Sequence, residues 1–171
     1  MGFNDTELED LRKHPDKYNL SRASLSGADL SGADLSGIDL SGADLTDANL
    51  NAADLSKANL YEANLTGADL SRAALDYANL RRANLMGANL SRADMNYAKL
   101  EAADLRGADL QEAFLNNADL EAADLRGVNL HDTLLNRANL YKADLHGARY
   151  NKATRWPAGF DLARAGAILE S

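Results

Sequence analysis

The sequence predicts an all-β fold in which the backbone winds around an axis as a solenoid, and three observations carry that prediction. Leucine occupies every fifth position from Leu20 to Leu145, with Met95 the one substitute. Alanine stands two places before these leucines from Ala23 onward, replaced only at Ile38, Val128 and Thr133. The position between them is Asp or Asn in 20 of the 25 repeats from Ser24 to Asp144. A five-residue period scatters leucines around a helix, and on a continuous strand it alternates them between faces. Neither regular element can bury them all. Within one repeat, however, Ala and Leu are two residues apart and share a side, so three extended residues followed by a corner put both inside and Asp or Asn outside.

A fixed short period in a repetitive chain marks an architecture in which each unit buries its apolar face only by stacking on its neighbours. The A-(D/N)-L-x-x pattern, over roughly Tyr18 to Ala153, resembles the pentapeptide-repeat proteins. That resemblance implies a right-handed quadrilateral parallel β-helix with four pentapeptides per coil. Residues n and n+20 then stack on one face. About six and a half coils at the ~4.8 Å spacing of paired strands give a rod roughly 30 Å long.

The chain divides into an N-terminal cap at 1–17, the repeat region at 18–153 and a C-terminal cap at 154–171. In the first, Thr6 and Glu9 have capping-box spacing, Leu8 and Leu11 recur at helical spacing, and Pro15 ends the run. A short helix is therefore expected over Asp5 to Lys13, covering the first coil. Along the repeat, Leu and Ala fill the axis. Ile38 and Val128 should widen the coil locally, Thr133 brings a hydroxyl that needs a partner if buried, and Met95 fills a leucine site with little change of volume. After Ala153, Trp156-Pro157-Ala158-Gly159-Phe160 resembles tails of cyanobacterial members of the family. Trp156 and Phe160 read as a hydrophobic plug, and Ala163 to Leu169 as a last helical turn or two.

Composition bounds the function. The 171 residues carry no Cys and a net charge of −8, with no basic or apolar leader and no apolar run of spanning length. A cytoplasmic protein without disulfides is expected, and the acidic balance speaks against direct nucleic-acid binding. A filled rod has no pocket of its own, so neither an enzyme, nor a cofactor, nor a small-molecule substrate is expected. His14, His131 and His146 have no metal-ligand spacing and read as ordinary surface side chains. Gly27, Gly67, Gly87, Gly107, Gly127 and Gly147 fall at one corner and form no phosphate-binding motif.

Sorting the outward residues by twenties singles out one face. Its middle positions run Asp34, Asp54, Ala74, Asp94, Phe114, Leu134, holding three of the five departures from Asp or Asn; Ser24 and Lys99 are the others. Tyr77 and Tyr97 share one column on that side. Tyr77, Tyr97, Phe114 and Leu134 are thus the candidate partner-contact face, for a partner protein or a second copy. Charge is banded along the chain: net −5 over 18–75, +2 over 76–100, −6 over 101–132 and +3 over 133–153. Arg81, Arg82, Arg92 and Lys99 form the candidate basic belt. On another face Arg106, Arg126 and His146 run beside Asp104, Asp124 and Asp144, relieving carboxylate repulsion between coils. Some members of the family resemble duplex DNA and bind DNA gyrase. Duplex DNA carries about 18 charges over roughly 30 Å. The repeat region's −6, interrupted by a basic belt, leaves DNA mimicry the alternative to a non-enzymatic scaffold for a protein partner.

Overall fold

The computed structural model describes residues 4–170; the outermost residues of both expected caps, 1–3 and 171, lie outside the described residues. Helix α1 spans Asp5–Lys13. Its cap differs from the expected Thr6 and Glu9: the Glu7 N–H donates to Asn4 Oδ1 at 3.0 Å, and the Asn4 N–H to Glu7 Oε2 at 2.9 Å. Both pairs have the same three-residue spacing. The earlier one wins because it adds hydrogen-bonded residues to a helix otherwise too short to propagate well. His14 leaves helical geometry before Pro15, and a 3-10 turn follows at Pro15–Lys17. Leu11 is fully buried against the first coil, and the Arg12 guanidinium donates to Ser31 O at 2.8 Å. Higher in the stack such corner carbonyls accept a backbone N–H from the coil before, as Ser41 O does from Arg22.

From Ser24 the chain returns to the same side every twenty residues. Parallel bridges join Ser24 to Asp44, Asp29 to Asn49, Asp34 to Asp54 and Asp39 to Asn59, and the four series continue up the stack. One coil is therefore four pentapeptides. The paired segments are single bridges between corners, because only three residues per side are extended. At each corner the N–H of the Ala-position residue donates to the preceding Leu carbonyl, and the residue before it is left-handed, with φ from 55° to 71° between Arg22 and Gly147. A positive φ at the third residue marks a type II turn, a position glycine prefers. Arg, Lys, Glu and Tyr hold it here as well.

The Asp or Asn before each leucine holds the next corner. Asp29 Oδ1 accepts the Ser31 N–H at 3.1 Å, and the same bond recurs as Asp39 to Ser41 and Asn49 to Asn51. Asparagine adds a bond between coils, as Asn49 Nδ2 does to Asp29 Oδ1 at 3.0 Å. Inside, Met95 is as buried as its leucine neighbours. At alanine corners the turn hydrogen bond is 2.9–3.1 Å, but it stretches to 3.2 Å at Ile38 and 3.3 Å at Val128 and Thr133. The β-branched side chain pushes the corner outward. Thr133 is fully buried, and its hydroxyl donates to Leu110 O at 2.8 Å.

The C-terminal end departs from expectation. The stack does not stop at Ala153: Arg155 pairs with Leu134, twenty-one residues on, and Thr154 is buried, donating to Leu130 O at 2.7 Å. Strand β1 (Arg149–Tyr150) is met in parallel by β2 (Ile168–Leu169), nineteen residues on. Helix α2 is confined to Leu162–Ala165 and is ended by left-handed Gly166. Ile168 and Leu169 are therefore strand, not helix, because the exposed edge of β1 offers hydrogen bonds that a frayed turn cannot. Trp156 meets Tyr150 edge-on at 5.4 Å and stacks on Phe160 at 5.3 Å. No helix among the described residues is long and apolar enough to cross a membrane.

Candidate partner-contact face

The four candidate face residues fall on one side of the rod. Bridges run from Asp94 to Phe114 and from Phe114 to Leu134. Tyr77 and Tyr97 stack with ring centroids 4.8 Å apart and planes within 1°. Tyr77 is 51% exposed, Tyr97 47% and Phe114 42%; Leu134 is half-buried. Neither tyrosine hydroxyl has a partner among the described residues. At Phe114 the corner bond that an Asp or Asn would supply is absent, and the Asn116 N–H turns instead to Asn96 Oδ1 at 2.9 Å. The side-chain amides of Asn116 and Asn136 continue that ladder at 2.9 and 2.8 Å. The apolar substitution thus removes a local hydrogen bond, and the neighbouring coil replaces it.

The basic belt is not a belt of free charge. Stacking by twenty sets a glutamate beside each arginine: Arg81 with Glu101 at 2.5 Å, Arg82 with Glu62 at 3.3 Å and Arg92 with Glu112 at 2.9 Å. Only Lys99, exposed, has no ion pair among the described residues of that group. The arginines of the basic band are therefore neutralised by glutamates of the adjoining coils, while the repeat region keeps its net −6. Glu112 lies below the usual glutamate range and Arg92 above the usual arginine range, each because of the hydrogen bonds between them.

On another face Arg106 bonds Asp104 at 2.6 Å and approaches Asp124 at 3.6 Å, and Arg126 does the same with Asp124 and Asp144. These arginine hydrogen bonds hold Asp104 and Asp124 below the usual carboxylate range. His146 is exposed beside Gly166. His131 is not the plain surface residue expected: it is half-buried, with Nε2 3.0 Å from Glu170 Oε2. A group of three His, Cys, Asp or Glu placed to hold a metal is absent among the described residues. The expectation of a rod without any cavity needs correcting, since a groove of about 640 Å³ lies at the C-terminal end between the last coil and the tail. It forms because the stretch from Pro157 to Asp161 crosses that end without a backbone bond to it among the described residues, while the tail pairs only on the neighbouring sides.

The family model for pentapeptide repeats matches in eight copies, over 19–56, 53–92, 68–107, 83–121 and 115–149. No curated protein matches the sequence. Among solved structures, the pentapeptide repeat protein alr5209 from Nostoc PCC 7120 is 45% identical, with 60% of this chain covering 84% of that one at a TM-score of 0.59. A pentapeptide repeat protein of the Arabidopsis thaliana thylakoid lumen is 31% identical over 64% of this chain and 69% of that one, TM-score 0.47. HetL from Nostoc sp. PCC 7120, a pentapeptide repeat protein involved in heterocyst differentiation regulation, is 26% identical over 98% and 94%, TM-score 0.46.

Proposed function

The chain belongs to the pentapeptide-repeat family, and we propose that it is a non-enzymatic scaffold that presents the flat sides of a rigid, right-handed rod to a protein partner. The supporting observation is the gathering of Tyr77, Tyr97, Phe114 and Leu134 on one side, three of them close to half exposed. Aromatic side chains supply large contact area at low entropic cost, and clustered ones dominate binding energy at interfaces. Around them the outward positions are mostly Asp and Asn, Ala74 and Lys99 apart, which give a largely polar rim. The same reading makes the protein cytoplasmic, without a cofactor or small-molecule substrate, with a cap at 1–17 and another in the tail past the Arg155 bridge.

DNA mimicry is the weaker alternative. A mimic needs an unpaired row of carboxylates, whereas Asp104, Asp124 and Asp144 are bridged by Arg106 and Arg126. The deciding experiment compares wild type with the Phe114→Asp, Leu134→Asp double variant. The scaffold reading expects the variant to fold and to lose the partner captured by wild type, or its self-association. Unchanged partners and oligomeric state would sink it, and inhibition of gyrase supercoiling at micromolar protein would favour the mimic.

A further inference from the structure

The last coil ends in an open edge on the two sides that carry Asn139 and Asp144. One coil below, the N–H groups of Leu120, Ala122 and Leu125 donate to the carbonyls of Asn139, Tyr141 and Asp144. Ala118 O and Ala123 O accept from Asn139 and Asp144. Twenty residues on, the N–H groups of Leu140, Lys142 and Leu145 and the carbonyls of Ala138 and Ala143 have no backbone partner among the described residues. These five residues line the 640 Å³ groove, whose opposite wall is the tail from Pro157 to Asp161 with Arg164. The tail does not fill the edge, for the Phe160 N–H turns back to Pro157 O at 3.1 Å. Unpaired donors and acceptors in register, over an apolar floor of Leu140 and Leu145, are the features a sheet edge offers to an added strand.

We infer that this groove binds an extended segment of a partner protein, which adds to the edge as a parallel strand and continues the coil on two sides. The stacking rule fixes the chemistry of the guest. Small residues belong over Ala138 and Ala143, and leucine-sized ones over Leu140 and Leu145. Asparagine suits the outward place above Asp144, as Asn49 donates to Asp29 below it. A second copy stacked head to tail does not fit. The opposite end is closed by α1, with Leu11 buried and Arg12 bound to Ser31 O. The groove itself has the size of a ligand cleft, typically about 300–1,000 Å³, rather than room for a whole coil. This surface is independent of the tyrosine face, so failure at one leaves the other standing.

The probe is a labelled peptide with the sequence of residues 78–87, which occupy the same two sides lower in the stack. With peptide at about a hundred times its Kd, amide exchange at Leu140, Lys142 and Leu145 should slow about a hundredfold. Exchange at the already paired Leu120 and Ala122 should not change. A peptide carrying Leu80→Asp and Leu85→Asp should not bind. In the protein, Ala143→Arg, at a partly buried place in the groove lining, should abolish binding, with a circular-dichroism melt confirming that the variant is folded. Absence of saturable binding, or binding that survives Ala143→Arg, would overturn the inference. So would slow exchange at the three amides without peptide: independent of protein concentration it would mean that the tail closes the edge, and dependent on it, that a second copy does.

Discussion

Tyr97 lies directly over Tyr77, the rings 4.8 Å apart and parallel to within 1°, each about half exposed. Both belong to left-handed corners, with φ of 59°. The contact follows from the twenty-residue coil, which sets residue n+20 on residue n wherever the backbone repeats. Such a pair stiffens the rod and offers a partner a continuous aromatic surface, and stability measurements separate the two effects. A cycle of Tyr77→Ser, Tyr97→Ser and the double variant should give a coupling near the low end of ~0.5–1.5 kcal/mol, because exposed rings lose little water on stacking. Urea unfolding of the four proteins measures it, and zero coupling would leave the stack without a structural role.

Thr133 puts a buried hydroxyl at an alanine place in the core column. Its bond to Leu110 O at 2.8 Å offsets the stretched corner at 3.3 Å. Thr133→Val keeps the shape and removes the bond, so it should destabilise by about 1 kcal/mol. Thr133→Ala restores the usual corner while giving up the methyl group and the bond. Comparing urea midpoints of the two variants tests whether hydrogen bonding or corner strain governs the site. A Val variant as stable as wild type would show that the bond contributes nothing.

Much of the rod was legible because stacking by twenty is arithmetic. The same arithmetic that brought Phe114 under Leu134 also predicts Arg81 beside Glu101, yet charge summed along the chain hid the pairing and left a basic belt where the structure has ion pairs. The C-terminal slip was not legible at all. Ala153, Ala158 and Ala163 keep the five-residue count while the backbone pairs Leu134 with Arg155 and Arg149 with Ile168, offsets of twenty-one and nineteen. Hydrogen bonding at the edge decides that register, and the side-chain pattern is blind to it. The left-handed corners were legible only in part, since Gly27, Gly67, Gly87, Gly107, Gly127 and Gly147 mark the place while Arg, Lys, Glu and Tyr hold it elsewhere.

Those corners make a prediction of their own. Gly127 has φ +66° and no atom within 4 Å of the place a Cβ would take. Gly127→Ala therefore meets backbone strain alone, and about 1 kcal/mol of destabilisation is expected. A circular-dichroism melt of the variant checks it. A much larger loss would reveal a steric clash with the coil above, and no loss would mean that the stack itself holds the corner left-handed.

Asp104 and Asp124 make the stability of the rod depend on acidity, with a definite sign. The Arg106 and Arg126 hydrogen bonds hold both carboxyls below their usual range, so the folded state binds protons less readily than the unfolded chain. The resulting stabilisation is fully present above the unfolded aspartate value of about 3.9, and is lost as pH falls through the lower folded values. Arg126→Leu removes the hydrogen bonds that hold Asp124 down and leaves neighbouring carboxylates facing one another across coils. The variant should lose stability at neutral pH and should show a shallower fall below pH about 4. Because these side chains are partly exposed, added salt should reduce the difference from wild type. Urea midpoints recorded across the acid range at low and high salt test the sign: a variant whose stability falls as steeply as wild type would mean that the carboxyls owe their low range to the corner hydrogen bonds, not to the arginines.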